Sequence, residues 1–387
     1  METKSGSPSH RPRIGIDLHV VDGIFQGSRT HCLELFSRVV ALCPEFDFVL
    51  LAGQPKKLLS FSDHFALPHV TIRPMPEKPA PVRLLWQLPQ IARSCRLSLL
   101  HTQYIAPPLP FCATAVTVHD ILFESHPQYF ERSFVMRSRL LVPFSVRRSA
   151  AIFAVSEFSR KQICETYSIP MKRVHTIPNG VDRVRFSPGN AGRDEVRALG
   201  LKSGNYFLSV GRLEPRKNHA TLLRAWAQLP QPRPCLVIVG QRHFQYKEAF
   251  EVIHALHLES DVVLLEEVSD VQLPAVYRHA KGFIYCSWAE GFGMPVLEAM
   301  SSGVPVISSS NTALSEVCAA AALGIDPRNL NEIADAVRSV DQEAELRQDL
   351  IRRGFERAAQ FTWDRSAQIV RNVYREYFGL LPPAPAA

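Results

Sequence analysis

The chain has 387 residues, too many for one ordinary domain and enough to bury two cores. Hydrophobic residues make up 46% of it, a globular composition, and it contains no run of eighteen or more apolar residues, which excludes a membrane-spanning helix. The net charge of +7 is uneven: residues 1–183 carry 22 Lys and Arg against 14 Asp and Glu, the remainder 22 against 23, so the first half should favour an anionic partner, whether nucleic acid, membrane surface or phosphorylated substrate.

Residues 1–12 are polar and lack the apolar core of a signal peptide, so they are expected to be disordered and the chain cytoplasmic. From Arg13 onward, apolar strand-like runs alternate with amphipathic helix-like runs. That alternation reads as βαβ units around parallel sheets. Strands are expected at Arg13–Leu18, Phe46–Ala52, Leu97–His101, Ala113–His119 and Ala151–Val155. Residues 29–42 read as a helix with Cys32, Leu35, Phe36, Val39, Val40 and Cys43 on one face. Ser28 stands where a cap would. Val116-Thr-Val-His-Asp120 ends a strand, which aims His119 and Asp120 beyond the sheet. Residues 132–148 carry five arginines among Phe134, Val135, Met136, Leu140, Leu141, Val142 and Phe144, interrupted by Pro143. This basic amphipathic stretch suits an anionic membrane surface, and suits equally a helix with its apolar face in a core.

The turn-rich segment Ile177-Pro-Asn-Gly-Val-Asp-Arg-Val-Arg-Phe-Ser-Pro188 leads into a polar stretch and is expected to link two domains. The second half starts again, with strands expected at Tyr206–Val210, Cys235–Gly240, Val262–Leu265, Gly282–Cys286 and Val304–Ser308. Ser209-Val-Gly-Arg-Leu-Glu-Pro-Arg-Lys-Asn218 follows its first strand and sets Arg212 and Lys217 at a strand end, beside Gly211. A guanidinium fork and an ammonium there suit phosphate oxygens. Arg216 reads about equally as surface charge.

Ser287-Trp-Ala-Glu-Gly-Phe-Gly-Met-Pro-Val-Leu-Glu-Ala-Met-Ser-Ser-Gly303 joins a strand to a short helix, with Pro295 in its first turn and Gly303 just past its end. Free N–H groups at such a helix start attract phosphate. Glu290 precedes the helix and Glu298 lies one turn inside it, two carboxylates that accept hydrogen bonds from sugar hydroxyls. Residues 361–378 read as an amphipathic helix, and a Pro/Ala tail follows Leu380. The eight cysteines form no C-x-x-C pair and mostly sit in apolar stretches, so reduced core thiols are expected rather than disulfides or a zinc site.

Together these stretches resemble the GT-B fold retaining glycosyltransferases of family 4, and bacterial mannosyltransferases among them. The resemblance runs from Arg13 to about Phe378. It is carried by Glu290 and Glu298 in their E-x7-E spacing, by Val210-Gly-Arg-Leu-Glu-Pro-Arg-Lys-Asn, by Ile177-Pro-Asn-Gly-Val-Asp and by Val155-Ser-Glu-Phe-Ser-Arg. It implies an α/β fold of two Rossmann-like, doubly wound domains facing each other across a cleft. The first, 13–186, would take the acceptor and the second, 187–361, the donor. A helix over 362–379 would return to the first domain, with Trp363 and Tyr374 as packing residues, and 380–387 would be a disordered tail.

By the same resemblance, Arg212 and Lys217 hold the donor diphosphate, together with the backbone of Gly27. Glu298 takes the ribose, and Glu290 hydroxyls of the transferred sugar. Backbone amides at Phe292 and Gly293 touch sugar or phosphate. His119 lies beside the reacting face, and Asp120 orients it or holds the acceptor. Transfer is then expected on the front face with retention, without cofactor or metal, because protein cations meet the leaving charge. GDP-mannose is the favoured donor, with UDP-sugars as the alternative. The acceptor would be a saccharide or a lipid-diphosphate-linked one, on the inner face of the membrane. Three features depart from the family. The loop around Gly27, Gly23-Ile-Phe-Gln-Gly-Ser-Arg-Thr-His31, lacks the commoner glycine-rich form. Residues 264–270, Leu-Leu-Glu-Glu-Val-Ser-Asp, replace a small neutral stretch, and Cys286 stands where proline is common. A phosphorylase or epimerase on the same fold is the nearest other reading. A Rossmann dehydrogenase lacks its G-x-G-x-x-G after the first strand, and a nucleic-acid binder lacks its motifs.

Overall fold

The structure is a computed structural model that describes residues 11–22 and 27–380. The terminal segments expected to be disordered, 1–12 and 380–387, fall almost wholly outside that range. Two parallel sheets form. The first contains β1 (Arg13–Asp17), β2 (Asp47–Ala52), β3 (Val70–Pro74), β4 (Leu99–Gln103), β5 (Ala113–Val118), β6 (Ala151–Ala154) and β7 (Val174–Thr176), in the order β3-β2-β1-β4-β5-β6-β7. The second contains β8 (Tyr206–Val210), β9 (Cys235–Val239), β10 (Val262–Leu265), β11 (Gly282–Tyr285), β12 (Val306–Ser309) and β13 (Leu323–Ile325), in the order β10-β9-β8-β11-β12-β13. Both orders reverse at the first strand of the sheet. Ligands of such sheets bind outside the carboxyl ends of the strands at that point.

Alternation along the strands divides the first sheet into two covered faces. Phe48 and Leu50 pack with Phe36 and Val39 of the helix Gly27–Leu42, and with Trp363, Val370 and Tyr374 of the helix Trp363–Tyr377. Val49, Leu51 and Leu100 face the other way, against Leu88 and Ile91 of the helix Leu88–Ser94. Val116, Val118 and Ile152 share that face and pack on Val135, Val142 and Val146 of the helix Arg132–Arg148 and on Ile163 of the helix Glu157–Tyr167. The connections β3→β4, β4→β5 and β5→β6 all step the same way along the sheet, and right-handed crossovers place them on one face.

Several sequence expectations are corrected. The first helix starts at Gly27, so Ser28 lies inside it and does not cap it. The fourth strand sits two residues later than expected, at Leu99–Gln103, because Leu97 packs beneath the sheet as the chain enters it. The last apolar run yields Val306–Ser309, since Val304 and Pro305 belong to the turn that leads into it. β3, β7 and β13 had no counterpart in the reading. Pro143 is accommodated inside a continuous helix over 132–148. All eight cysteines are free, five of them buried, and burial raises thiols such as Cys286, whose pKa lies at about 12.

The helix Trp363–Tyr377 ties the chain end back onto the first sheet. The Tyr374 hydroxyl bonds His101 Nδ1 at 2.6 Å, and Arg375 meets Glu45 at 3.0 Å. Where this strap begins, the Phe361 carbonyl accepts from Val181 N–H at 3.1 Å. A Cβ on the neighbouring Gly180 would lie 2.4 Å from Trp363 N. Gly180→Ala must therefore push the strap away from the linker. We expect it to destabilise the protein by about 1–3 kcal/mol, read as a lowered denaturation midpoint, with the secondary structure by circular dichroism unchanged.

Candidate active site

The strand ends of the second sheet place two short segments side by side. β8 ends at Val210 and runs through Gly211 into the single turn Pro215–Lys217, and β11 ends at Tyr285 and runs into the loop 286–293. A Cβ on Gly240 would lie 1.9 Å from the Gly211 carbonyl, so the loop after β9 is pressed directly against the one after β8. Both segments converge on Glu290, which is 6% exposed. Its Oε2 accepts from Arg216 at 2.6 Å and its Oε1 from Lys217 at 2.7 Å. Lys217 Nζ also donates to the Tyr285 hydroxyl at 2.6 Å, and Arg216 to Glu214 at 2.7 Å and to the Ala289 carbonyl at 2.9 Å.

Burial alone would raise the Glu290 carboxyl. Arg216 and Lys217 outweigh it and hold the group down at about 2. It stays ionised through the functional range, accepting hydrogen bonds but delivering no proton. Burial likewise lowers Lys217, with Glu290 working against the shift, whereas for Arg216 the carboxylates of Glu290 and Glu214 overcome burial and raise it further. Arg212 lies close enough to act on the charge of Glu214. Arg216, which from the sequence reads equally as surface charge, anchors the cluster. Its signal was only its place beside Lys217.

Gly293, at φ +110°, launches the helix Met294–Ser301, with Pro295 in its first turn. Phe292 is buried, its ring 5.8 Å from that of Phe361, so only its backbone can meet a ligand. Glu298 lies one turn in and accepts from the Tyr277 hydroxyl at 2.8 Å. Burial raises its carboxyl, while Tyr277 and Arg185 pull the other way. Asp270 ends the stretch 264–270 and lies near Arg185 (3.6 Å) and Arg29 (3.9 Å), which brings that stretch beside Glu298 and the first helix.

The first domain supplies the opposite wall. A Cβ on Gly27, at the start of the helix Gly27–Leu42, would lie 2.9 Å from Met294 Cε. His119 is buried at the end of β5. Its Nε2 bonds Gln103 Oε1 at 2.9 Å, and its ring stands edge-on to His31 at 4.7 Å. Burial, then His31, depress it well below the usual histidine range, so it is a neutral imidazole. Bonding to Gln103 through Nε2–H leaves Nδ1 as its acceptor. His31 is held at 2.7 Å by Asn179 of the linker motif, and burial lowers it to about 4. Burial raises Asp120, but Arg216 across the cleft acts to lower it, which puts these two residues of opposite domains within electrostatic reach.

The walls meet without slack. A Cβ on Gly291 would lie 2.6 Å from Asp120 Cβ and 2.7 Å from the His119 carbonyl. The Gly291 carbonyl accepts from Ser156 at 2.8 Å and Ser159 at 3.2 Å. Glu316 of the second domain caps the helix Glu157–Tyr167 of the first, taking Glu157 and Phe158 N–H at 3.0 and 2.9 Å. The motif Ser-Glu-Phe-Ser-Arg thus acts as a domain contact. Beside Glu290 a cavity of about 430 Å³ opens between Tyr129 and His126 of the first domain and Trp288, Asn311 and Arg328 of the second. Thr312 on its wall takes φ +50°, costly for a β-branched residue, and its hydroxyl receives the Glu290 N–H at 3.0 Å. Neither this cavity nor Tyr277 and Tyr285 figured in the sequence reading.

Comparisons with known proteins agree with this fold. Residues 193–357 match the family model "Glycosyl transferases group 1", and residues 25–185 match "Glycosyltransferase Family 4". The chain is 32% identical over 264 residues to "O-antigen chain mannosyltransferase B" of Escherichia coli, covering 67% of this chain and 69% of that protein. It is 29% identical over 259 residues to "O-antigen chain mannosyltransferase RfbU" of Salmonella typhimurium, covering 66% and 68%. In fold it is similar to the HepE protein of Anabaena crystallised with UDP and glucose, with a TM-score of 0.76, 17% identity and coverage of 94% and 100%. It is similar also to WaaG, described as a glycosyltransferase involved in lipopolysaccharide biosynthesis, with a TM-score of 0.73, 16% identity and coverage of 93% and 99%. The two facing Rossmann-like sheets are the expected GT-B fold.

Removing one member of a buried ion cluster costs about 3–5 kcal/mol. A carboxyl held near 2 contributes stability that is fully present above the unfolded value of about 4.3 and is lost as pH falls towards 2. Glu290→Gln should therefore lower the thermal midpoint most at neutral pH, and the gap to wild type should close on acidification. Pyrophosphate, an anion able to meet Arg216 and Lys217, should restore part of the loss. A gap that is constant with pH would contradict the ion cluster.

Proposed function

The chain belongs to the group 1 glycosyl transferases, and from that premise we propose that it moves mannose, with retention, from a sugar nucleotide to a growing saccharide or lipid-linked saccharide in polysaccharide synthesis. The observation that supports this reading is the cluster in which Arg216 and Lys217, on the turn after β8, converge on Glu290, in the loop that leads into the helix bearing Glu298; we read the cations, with Arg212, as the diphosphate side and Glu298 as the ribose side. The choice of mannose rests on two relatives whose names state that activity, and we take GDP as its nucleotide.

In this mechanism the bond between the sugar's anomeric carbon and the diphosphate oxygen breaks. Its electron pair leaves with the diphosphate, and Arg212, Lys217 and the N–H groups at the helix Met294–Ser301 meet the charge. The acceptor hydroxyl enters on the same face and passes its proton to the departing phosphate oxygen. No protein nucleophile is needed. Neutral His119 hydrogen-bonds a hydroxyl of the sugar without bringing a positive charge against the oxocarbenium. Ionised Glu290 accepts from hydroxyls on the other side, while Asp120 and the cavity beside Trp288 receive the acceptor. Protein cations do the work a divalent ion does elsewhere, so we expect no metal and no cofactor.

A panel of sugar nucleotides, read by thermal shift and then by product NMR, tests the reading. The anomeric configuration of the donor should survive in the product, and transfer should be unchanged in EDTA. An inverted linkage, or activity restored only by a divalent ion, would overturn the mechanism.

Glu298 gives a separate test. A carboxyl raised by burial costs stability above its unfolded pKa, so Glu298→Gln should not lower the thermal midpoint at neutral pH. Losing charge-assisted bonds to the ribose, at about 1.5–3 kcal/mol, should weaken donor binding about 10- to 100-fold. Unchanged donor KM in this variant would remove Glu298 from the site.

A further inference from the structure

Among the described residues sixteen large apolar side chains are exposed, and eight of them fall within residues 82–144. Seven of these eight occupy three neighbouring pieces of one face of the first domain, and Val82 immediately precedes the first of them. Leu85 and Trp86, the latter 68% exposed, lie on the π-helical turn Arg83–Gln87 that leads into the helix Leu88–Ser94. Leu109, 76% exposed, and Phe111 lie on the β4–β5 connection, which crosses this face without a helix. Met136 at 75%, Leu140 at 72% and Phe144 follow at i, i+4 and i+8 on the helix Arg132–Arg148.

The pieces are joined. The Arg93 guanidinium lies 5.5 Å over the Phe111 ring, and Ala106 N–H donates to Ser145 Oγ of the helix at 3.0 Å. Ile105 packs against the core clusters on both sides. The helix keeps a separate stripe, Val135, Val142 and Val146, for the core. The Met136 stripe is therefore additional to what the fold requires, and a contiguous exposed patch of this kind marks an interaction surface.

Charge identifies the partner. Residues 80–150 contain eight arginines (83, 93, 96, 132, 137, 139, 147 and 148) and three acidic residues (120, 124 and 131). Asp120 belongs to the cleft, and Glu124 is bound to Arg139 at 2.9 Å. Arg137 and Arg148 lie over the rings of Phe134 and Phe144 at 5.7 and 5.0 Å, apolar stems against aromatic surface with the charge at the rim. A second copy seated on this face by two-fold symmetry would set arginines against arginines. A bilayer with anionic headgroups accepts both the apolar stripe and the charges around it.

We propose that this face, formed by the turn Arg83–Gln87, the β4–β5 connection and the helix Arg132–Arg148, docks the protein reversibly on an anionic lipid surface. Arg83 of the same turn bonds Asp17 at the end of β1, so the docked edge adjoins the cleft. A lipid-linked acceptor would reach the site from that edge.

Flotation of the full chain with vesicles tests this without any sugar, so its outcome is independent of the transferase reading. Binding is expected to vesicles of equal parts phosphatidylcholine and phosphatidylglycerol, not to phosphatidylcholine alone, and should weaken as salt rises. At about fivefold per surface cation, the combined Arg137→Gln, Arg147→Gln and Arg148→Gln variant should bind on the order of a hundredfold more weakly. Combined Met136→Ser, Leu140→Ser and Phe144→Ser should abolish binding, and Trp86→Ser in the otherwise unaltered chain should weaken it. Each variant should keep the wild-type thermal midpoint. Indifference to both vesicle types, or undiminished binding by the arginine and serine variants, would overturn the proposal. So would a dimer in solution that the serine variant dissociates, since the face would then be a self-interface.

Discussion

A carboxylate buried between two cations sets the terms for the site. Glu290 cannot be ionised in that position unless Arg216 and Lys217 reach it, and they reach it only because β8 and β11 are adjacent strands whose loops leave the sheet together. The same few residues carry everything else. Glu290 N–H is fixed by Thr312, and the carbonyl of Ala289 by Arg216. The next residue, Gly291, is the domain contact, and Gly293 turns the chain into the helix that bears Glu298. Any anion entering here competes with Glu290 for cations already engaged. A singly charged ligand gains little by that exchange. On the function proposed above, a diphosphate would bring more charge to that exchange and would draw on Arg212 as well.

The other wall is organised by neutral rings. His31, His119 and His101 are all depressed by burial, and each has a fixed partner: Asn179, Gln103 and Tyr374 respectively. Two of those partners come from outside the βαβ run of the first domain. Asn179 sits in the linker and Tyr374 in the returning helix, while Trp363 stands edge-on to His31 at 5.9 Å. The segments that cross between domains therefore also set the orientation of the side chains behind the cleft. A neutral, desolvated wall facing an ionic one suits a reaction in which charge builds on the leaving side and must not be countered on the sugar side.

Most of the architecture was legible because parallel strands buried on both faces leave continuous apolar runs: all ten expected strands overlap observed ones, and eight of them start within one residue of the observed start. The strands that were not legible are short or sit at sheet edges. β3 is Val-Thr-Ile-Arg-Pro, β7 is Val-His-Thr and β13 is Leu-Gly-Ile, and none carries a run long enough to read. In the site, residue types at strand ends pointed to Lys217, Glu290 and Glu298. They could not assign Arg216, because a guanidinium in a loop looks alike whether it faces water or a carboxylate seventy-four residues away. The cavity beside Trp288 joins residues of both domains, a proximity that no local pattern encodes.

The helix Arg132–Arg148 shows where periodicity alone runs out. Its sequence holds two apolar stripes, and hydrophobic spacing identifies both without saying which one the fold uses. Packing decides it: Val135, Val142 and Val146 lie against Val116, Val118 and Ile152 of β5 and β6, and Met136, Leu140 and Phe144 are left outside. This choice also explains where the charge lies. The second domain is nearly neutral overall and buries Arg216 and Lys217 in one cluster around Glu290. The first domain spreads its excess over a surface. A buried cation cluster gives selectivity for one small anion, and a spread surface charge gives weak, salt-sensitive attraction to an extended one. One chain can hold both because two separate sheets keep the two fields apart, with the cleft between them as the place where a ligand of each kind would meet.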